Sequence, residues 1–472
     1  MTRRLPALIA TGWLCLCPSL APCEDSAREK AWEDLFAQPN PAAAGTQINA
    51  VLAACDNDVE TLRRQIASDT AYAAYQPGWR RMGAKVVDGE TTHEMEFFVR
   101  VPKGYTAKRS YPLLVAAHGQ RGNGRHIGRI MELLLGAERE KYVIVAPTMP
   151  GPDLISTRPY QEQTYLLPLY WTRLHLNIDD DRIYISGYSQ GGHISWHMAT
   201  MFPRLFAAAV PMAGIPCFEG APVTSDMYLE NLSNLPLWAI WGEKDTAPPP
   251  ALGNVDMCRL AAKRLKELDN KKFKGTELPG KGHGGCVPDP AEFVRFLSQH
   301  RRTVVPDKFE HRFHLSHHAR GYYLHATELG RTPIDFSKGV KVQVPGIRPR
   351  SKEEIRRVMR KHVERYLFEM RAELDRPENL LTIRAKGIRI IRLYVMEGMF
   401  DLSKEQGIHY WSRKWKGRIP PSAACMLRHY AATRDRTALV LNEMDLTIRG
   451  KASVRYHPPG AVRDTGSLRR PR

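Results

Sequence analysis

The chain holds little of what would place it in a specialised class. Cysteine is scarce: eight in 472 residues, with no CxxC pair. That leaves a zinc-ribbon or thioredoxin-type site without its ligands. Beyond the N-terminal segment no apolar run is long enough to span a bilayer. No repeat of fixed period stands out. There is no helix-turn-helix, zinc-finger or RNA-binding motif, so no specific nucleic-acid partner is indicated. Net charge is also missing from most of the chain: residues 1–300 hold 32 basic and 32 acidic side chains. The whole formal +19 lies in residues 301–472, with 37 Lys and Arg against 18 Asp and Glu. Such a basic region suits either an anionic surface or polysaccharide, or simply a solvated face.

The N-terminus has the layout of an export signal. Arg3 and Arg4 precede an apolar stretch, and Ala21-Pro22-Cys23 offers small residues for cleavage. A signal over residues 1–23 and a secreted or periplasmic protein are therefore expected. Lipid anchoring at Cys23 ranks second, because Pro22 stands where Gly or Ala is usual. The cysteines outside the signal are Cys55, Cys217, Cys258, Cys286 and Cys425, enough for one or two disulfides in an oxidising compartment.

The rest divides by pattern. Residues 24–82 show helical spacing and are expected to pack on the catalytic core. Residues 83–305 alternate short apolar runs with helical segments, which predicts a parallel, doubly wound sheet covered on both faces. Residues 306–456 read as a basic, β-rich domain. Into it a helix over 351–374 is inserted, opened by the capping box Ser351-Lys-Glu-Glu354. Its apolar positions, from Ile355 and Val358 through Val363 and Leu367 to Met370 and Leu374, share a helical face expected to pack on its own sheet. Residues 457–472, rich in Pro, Gly and Arg, read as a disordered tail.

Chemistry concentrates in the middle segment. Gly187-Tyr188-Ser189-Gln190-Gly191 is a G-x-S-x-G motif between a strand and a helix. Only a tight turn of that kind projects a serine hydroxyl, and only glycine tolerates the crowding beside it. An oxyanion hole needs two converging backbone donors. The amides of Gln190 and of Gln120, in the loop after the apolar run ending at His118-Gly119, are the candidates. His118 itself is read as shaping that loop. An acid and then a histidine should follow. Asp245 stands after an apolar run in a Gly turn, with Glu243 as the alternate acid, and His283 sits in a Gly-rich loop. His193 and His197 are four apart on the helix after Ser189, but lack the Glu of H-E-x-x-H. They are read as packing residues, and no catalytic metal is expected. Tyr170 and Trp171 are candidates for a substrate pocket, with core packing as the alternative for them and for Trp196.

The stretch 178–216, with Asp-Arg-Ile-Tyr-Ile-Ser-Gly-Tyr-Ser-Gln-Gly-Gly-His and then Phe-Ala-Ala-Ala-Val-Pro-Met-Ala-Gly, resembles secreted bacterial esterases of the α/β-hydrolase superfamily. It is similar to the polyhydroxybutyrate depolymerase and feruloyl esterase group, to prolyl oligopeptidase-like catalytic domains and to the phospholipase/carboxylesterase group. The resemblance spans about residues 101–300. It implies a Ser189–Asp245–His283 triad and no cofactor, and leaves ester, thioester and peptide substrates open. The chain departs from the depolymerases in lacking an evident polymer-binding module, and from the prolyl oligopeptidases in lacking a propeller. Three functions follow as candidates: a serine hydrolase of carboxylic esters, a serine peptidase on the same core, and a surface or polysaccharide-binding protein with a vestigial core.

Overall fold

The computed structural model describes residues 21–88, 90–150, 159–216, 226–248, 252–334, 352–449 and 453–456. The signal reading, apart from its last three residues, and the tail reading fall outside them.

Eight strands build the central sheet: β1 (Gly78–Asp88), β2 (Thr91–Val101), β3 (Tyr111–Ala117), β4 (Val143–Pro147), β5 (Ile178–Tyr188), β6 (Ala208–Met212), β7 (Leu237–Gly242) and β8 (Phe273–Leu278). Their order is β1-β2-β4-β3-β5-β6-β7-β8. β1 and β2 are antiparallel, and the strands from β3 to β8 run parallel. Every side chain of β3, β4 and β7 is buried. This is the two-faced burial that their unbroken apolar runs require.

Alternation along β3 divides the core in two. Leu113, Val115 and Ala117 join one cluster, Leu114 and Ala116 the other. The amphipathic helices α4 (Gly124–Leu135) and α8 (Pro290–Ser298) cover the second face through Ile127, Met131, Phe293 and Leu297. Helices α5 (Pro159–His175), α6 (Gln190–Met201) and α7 (Asn254–Glu267) cover the first through Leu166, Leu169, Trp196 and Val255. The sheet is thus doubly wound.

Two further five-stranded sheets follow, built from strands between Lys308 and Tyr456. They share one apolar cluster, including Phe313, Met370, Leu381, Leu393 and Met444, and so form a sandwich. The helix expected over 351–374 is shorter: it spans Lys352–Val363, and Phe368–Asp375 is a strand. The reason is a change of period. From Phe368 the buried positions are 368, 370, 372 and 374, with charged residues between them, a spacing of two. The end of that helix also packs elsewhere than foreseen: Val363 and Leu367 join the core of the eight-stranded sheet, not that of the sandwich.

The N-terminal helices (Ala21–Phe36, Gly45–Ala54 and Val59–Ala67) differ from expectation too. Their buried Trp32, Leu35, Val51 and Leu62 cluster with Met426, Leu427 and Tyr430 of the helix Ala423–Thr433. They rest on the C-terminal part of the chain rather than on the catalytic core, because that helix offers an apolar face between the layers. Asp69 secures the contact. Its carboxylate accepts from Trp32 Nε1 at 3.0 Å, from the Tyr430 hydroxyl at 2.5 Å and from Arg434 Nε at 2.8 Å.

A buried ion cluster joins the layers a second time. Asp435 accepts from both terminal nitrogens of Arg302, at 2.7 and 2.8 Å, and lies 2.6 Å from Arg173 Nη2. Arg173 also donates to Asp180 at 3.0 Å. Burial raises the Asp435 carboxyl, but the two guanidiniums outweigh it and hold it well below the usual carboxylate range. Removing one partner from such a site strands buried charge. Asp435→Asn is therefore expected to cost about 3–5 kcal/mol, read as a lower urea midpoint. A midpoint within experimental error of wild type would show that the cluster does not hold the layers together.

Candidate active site

β5 is fully buried from Ile183 to Gly187, and the chain then turns at Ser189 with φ 56° and ψ −117°. A side chain in this region costs on the order of 1–3 kcal/mol. The surroundings enforce it. A Cβ at Gly191 would lie 1.9 Å from the Ala117 carbonyl oxygen, and one at Gly187 would lie 2.4 Å from that of Gly191. Backbone therefore packs on backbone around the turn. The Ser189 amide donates to Met212 O at 2.9 Å. The hydroxyl stands half-buried at the carboxyl edge of the sheet, with α6 starting at Gln190.

Asp245 and His283 reach the same point from different loops. Asp245 lies in the turn after β7 and is 8% exposed. The His283 loop packs on that turn: the Lys244 amide donates to Lys281 O at 2.7 Å, and a Cβ at Gly242 would come within 2.3 Å of Gly282 O. The result is a continuous chain. Ser189 Oγ is 2.8 Å from His283 Nε2, and His283 Nδ1 is 2.8 Å from Asp245 Oδ2. Such a chain fixes the imidazole with Nδ1–H toward the carboxylate and leaves Nε2 to accept a proton from the hydroxyl. Glu243, the alternate acid, points away. It accepts from the Gly280 amide at 2.7 Å and braces the histidine loop.

The loop after β3 lies against Ser189: a Cβ at Gly119 would be 3.5 Å from Ser189 Cβ. His118 holds it. The Met149 amide donates to His118 Nε2 at 2.9 Å, so Nδ1–H is the donor to Gly119 O at 2.7 Å. Burial lowers the His118 pKa, which keeps that neutral tautomer. Gln120 follows in an exposed turn, while Gln190 is buried at the first position of α6.

Two neighbours escaped the sequence reading. Asn254 Nδ2 donates to Asp245 Oδ2 at 3.0 Å, the same oxygen that His283 uses. The Tyr188 hydroxyl donates to His283 O. Tyr188 lies inside the G-x-S-x-G motif, so its position was available; nothing in the pattern marks Asn254. Conversely, Tyr170 and Trp171 do not line this site. Trp171 stacks on His175 at 4.3 Å and meets Phe97 edge-on at 5.5 Å. Tyr170 hydrogen-bonds Arg204, which lies beyond the far end of α6. About 12 residues at 1.5 Å each put that end roughly 18 Å from Ser189. Both side chains are half-buried against the apolar cluster between α5 and the sheet.

His193 and His197 do not share a site. The Ile215 amide donates to His193 Nδ1 at 2.9 Å, whereas His197 Nε2 lies 2.6 Å from Glu162 Oε1. Cys55, Cys258, Cys286 and Cys425 are free thiols, so the one or two disulfides that the cysteine count allows are not formed among the described residues. They are buried singly, and Cys258 and Cys286 each donate to a carbonyl oxygen. Cys217 lies outside the described residues.

Residues 89–267 match the family model described as "Putative esterase". This segment, which holds most of the eight-stranded sheet, is thus similar to an esterase family. The match includes Ser189 and Asp245 and ends before His283. Acetylxylan esterase A of Emericella nidulans is 37% identical over 60 residues, 12% of this chain and 20% of that protein. The chain thus spans about a fifth of the length of that relative. Among solved structures, a thermostable esterase is 25% identical with a TM-score of 0.36, over 47% of this chain and 63% of that one. A ferulic acid esterase of Anaeromyces mucronatus is 17% identical with a TM-score of 0.35, over 48% and 92%.

The buried histidine beside the candidate site gives a testable pH dependence. Burial pushes His193 down to about 4. In the unfolded chain it would take up a proton near 6.5. Between these values the unfolded state binds more protons, so stability is present above about pH 6.5 and is lost as pH falls toward 4. His193→Gln should remove roughly 1.4 kcal/mol of this loss per pH unit. Urea midpoints at pH 7 and pH 5 measure it; equal slopes for variant and wild type would contradict it.

Proposed function

We propose that the chain is a secreted or periplasmic serine hydrolase that cleaves carboxylic esters through an acyl-enzyme on Ser189. The observation that carries this reading is the Ser189–His283–Asp245 chain, with both links at 2.8 Å. As Ser189 Oγ attacks the ester carbonyl, His283 Nε2 takes the hydroxyl proton and then gives it to the leaving alkoxide. Asp245 stabilises the imidazolium, and Asn254 holds the carboxylate in place by donating to the same oxygen.

The negative oxygen of the tetrahedral intermediate is held by the Gln190 and Gln120 amides. Gln190 is at the first position of α6, where backbone N–H groups have no intrahelical partner. Gln120 follows the glycine that His118 sets against Ser189. Water then repeats the sequence and frees the acid. The local likeness to an acetylxylan esterase and the basic excess of residues 301–472 support an ester borne on a polysaccharide.

Ser189→Ala is expected to lower kcat/KM on p-nitrophenyl acetate and butyrate by about 10³-fold or more, and to abolish labelling by a fluorophosphonate. Equal turnover and labelling would overturn the proposal. Turnover of prolyl or aminoacyl amides at ester-like rates would instead make it a peptidase. Asn254→Ala should lower kcat about tenfold, as loss of one hydrogen bond to a carboxylate implies.

A further inference from the structure

A second cluster of reactive side chains lies where the catalytic domain meets the sandwich, and the proposed hydrolysis uses none of it. Glu162 comes from the first turn of α5 and His197 from α6. His317 and His318 come from the turn Ser316–His318, which belongs to the sandwich side. Glu162, His197 and His318 are buried, with relative exposures of 4%, 3% and 1%. His197 Nε2 is 2.6 Å and His318 Nε2 is 2.5 Å from Glu162 Oε1. His317 Nε2 is 3.3 Å from the other carboxylate oxygen, Oε2. One ligand atom from each of Glu162, His197 and His318 lies within 4.8 Å of the others.

We infer that Glu162, His197 and His318 bind a divalent transition-metal ion of the zinc type, with His317 placed as the fourth ligand. Imidazole nitrogens and a carboxylate oxygen are both donors that zinc accepts, and His317 as a fourth protein ligand would close the tetrahedron. Charge points the same way. A buried carboxylate needs a cation, and the ion-pair partners described for Glu162 are imidazoles. A metal ion supplies that charge and uses the same nitrogens.

The ion is structural. His197 stands eight residues after Ser189, roughly 12 Å along the helix, too far to touch the reacting atoms. Two ligands come from helices of the catalytic domain and two from a turn of the sandwich. The metal therefore fastens α6, which begins at the Ser189 turn, to the second domain.

The test uses the untagged full-length protein, loaded with zinc, desalted and analysed by elemental mass spectrometry. About one equivalent of zinc per chain is expected. A tight chelator should lower the thermal midpoint by several degrees, and zinc should restore it. Cobalt added to the stripped protein should give the visible bands of a four-coordinate ion. Glu162→Gln and His318→Ala should each lose the metal, with circular dichroism reporting whether the variants fold. The inference is overturned if wild type retains less than about a tenth of an equivalent after loading. An unmoved thermal midpoint with zinc or chelator also overturns it, as does metal retained in both variants. The wild-type measurements decide the matter even if neither variant folds.

Discussion

Asp435, held between the guanidiniums of Arg173 and Arg302, is the contact on which the arrangement of layers depends. The three groups come from the last turn of α5, the segment after α8 and the end of the helix Ala423–Thr433. Asp180, near the start of β5, is tied to the same cluster through Arg173 and through the Arg436 amide. Charges this deeply buried gain stability only when each has its partners. The cluster is thus highly selective about geometry: the sandwich, α5 and β5 must all be placed before it forms. Nine steps along the chain lead from Asp180 to Ser189, roughly 30 Å at strand rise. The sheet is clamped at its amino edge and carries its chemistry at the other.

That chemistry rests on crowding more than on attraction. The Ser189 turn adopts a conformation most side chains avoid, and the glycines at 187 and 191 are there because neighbouring carbonyls occupy the space of a side chain. The imidazole orientation is settled by the Asp245 oxygen, and the backbone contact between the Asp245 turn and the His283 loop fixes their separation. His118 does the same work for the loop after β3, with each ring nitrogen committed to one backbone group.

Much of this was legible from the sequence because it is local. The apolar runs of β3, β4 and β7 announce strands buried on both faces, and the glycines around Ser189 announce a tight turn. Reading failed where two local signals overlapped or where contacts are remote. β1 pairs only with β2, and its Gly, Arg and Lys residues show no clean alternation. At 368–374 a spacing of two begins five residues after a genuine amphipathic helix, so the helical pattern masked it. Tyr170 and Trp171 looked like pocket residues because aromatic type carries no direction; their contacts put them against the apolar core beside α5. Glu162 meets His318 across 156 positions, and no spacing rule reaches that far.

The Asp69 contact has a consequence for how the protein is made. Its partner Arg434 lies 365 residues further along. During synthesis at about 5–20 residues per second, that partner leaves the ribosome on the order of tens of seconds later. Throughout that interval Trp32, Leu35, Val51 and Leu62 have no Tyr430 or Leu427 to cover them. This early segment is thus among the last to settle. Its apolar face stays uncovered until the helix Ala423–Thr433 has been made.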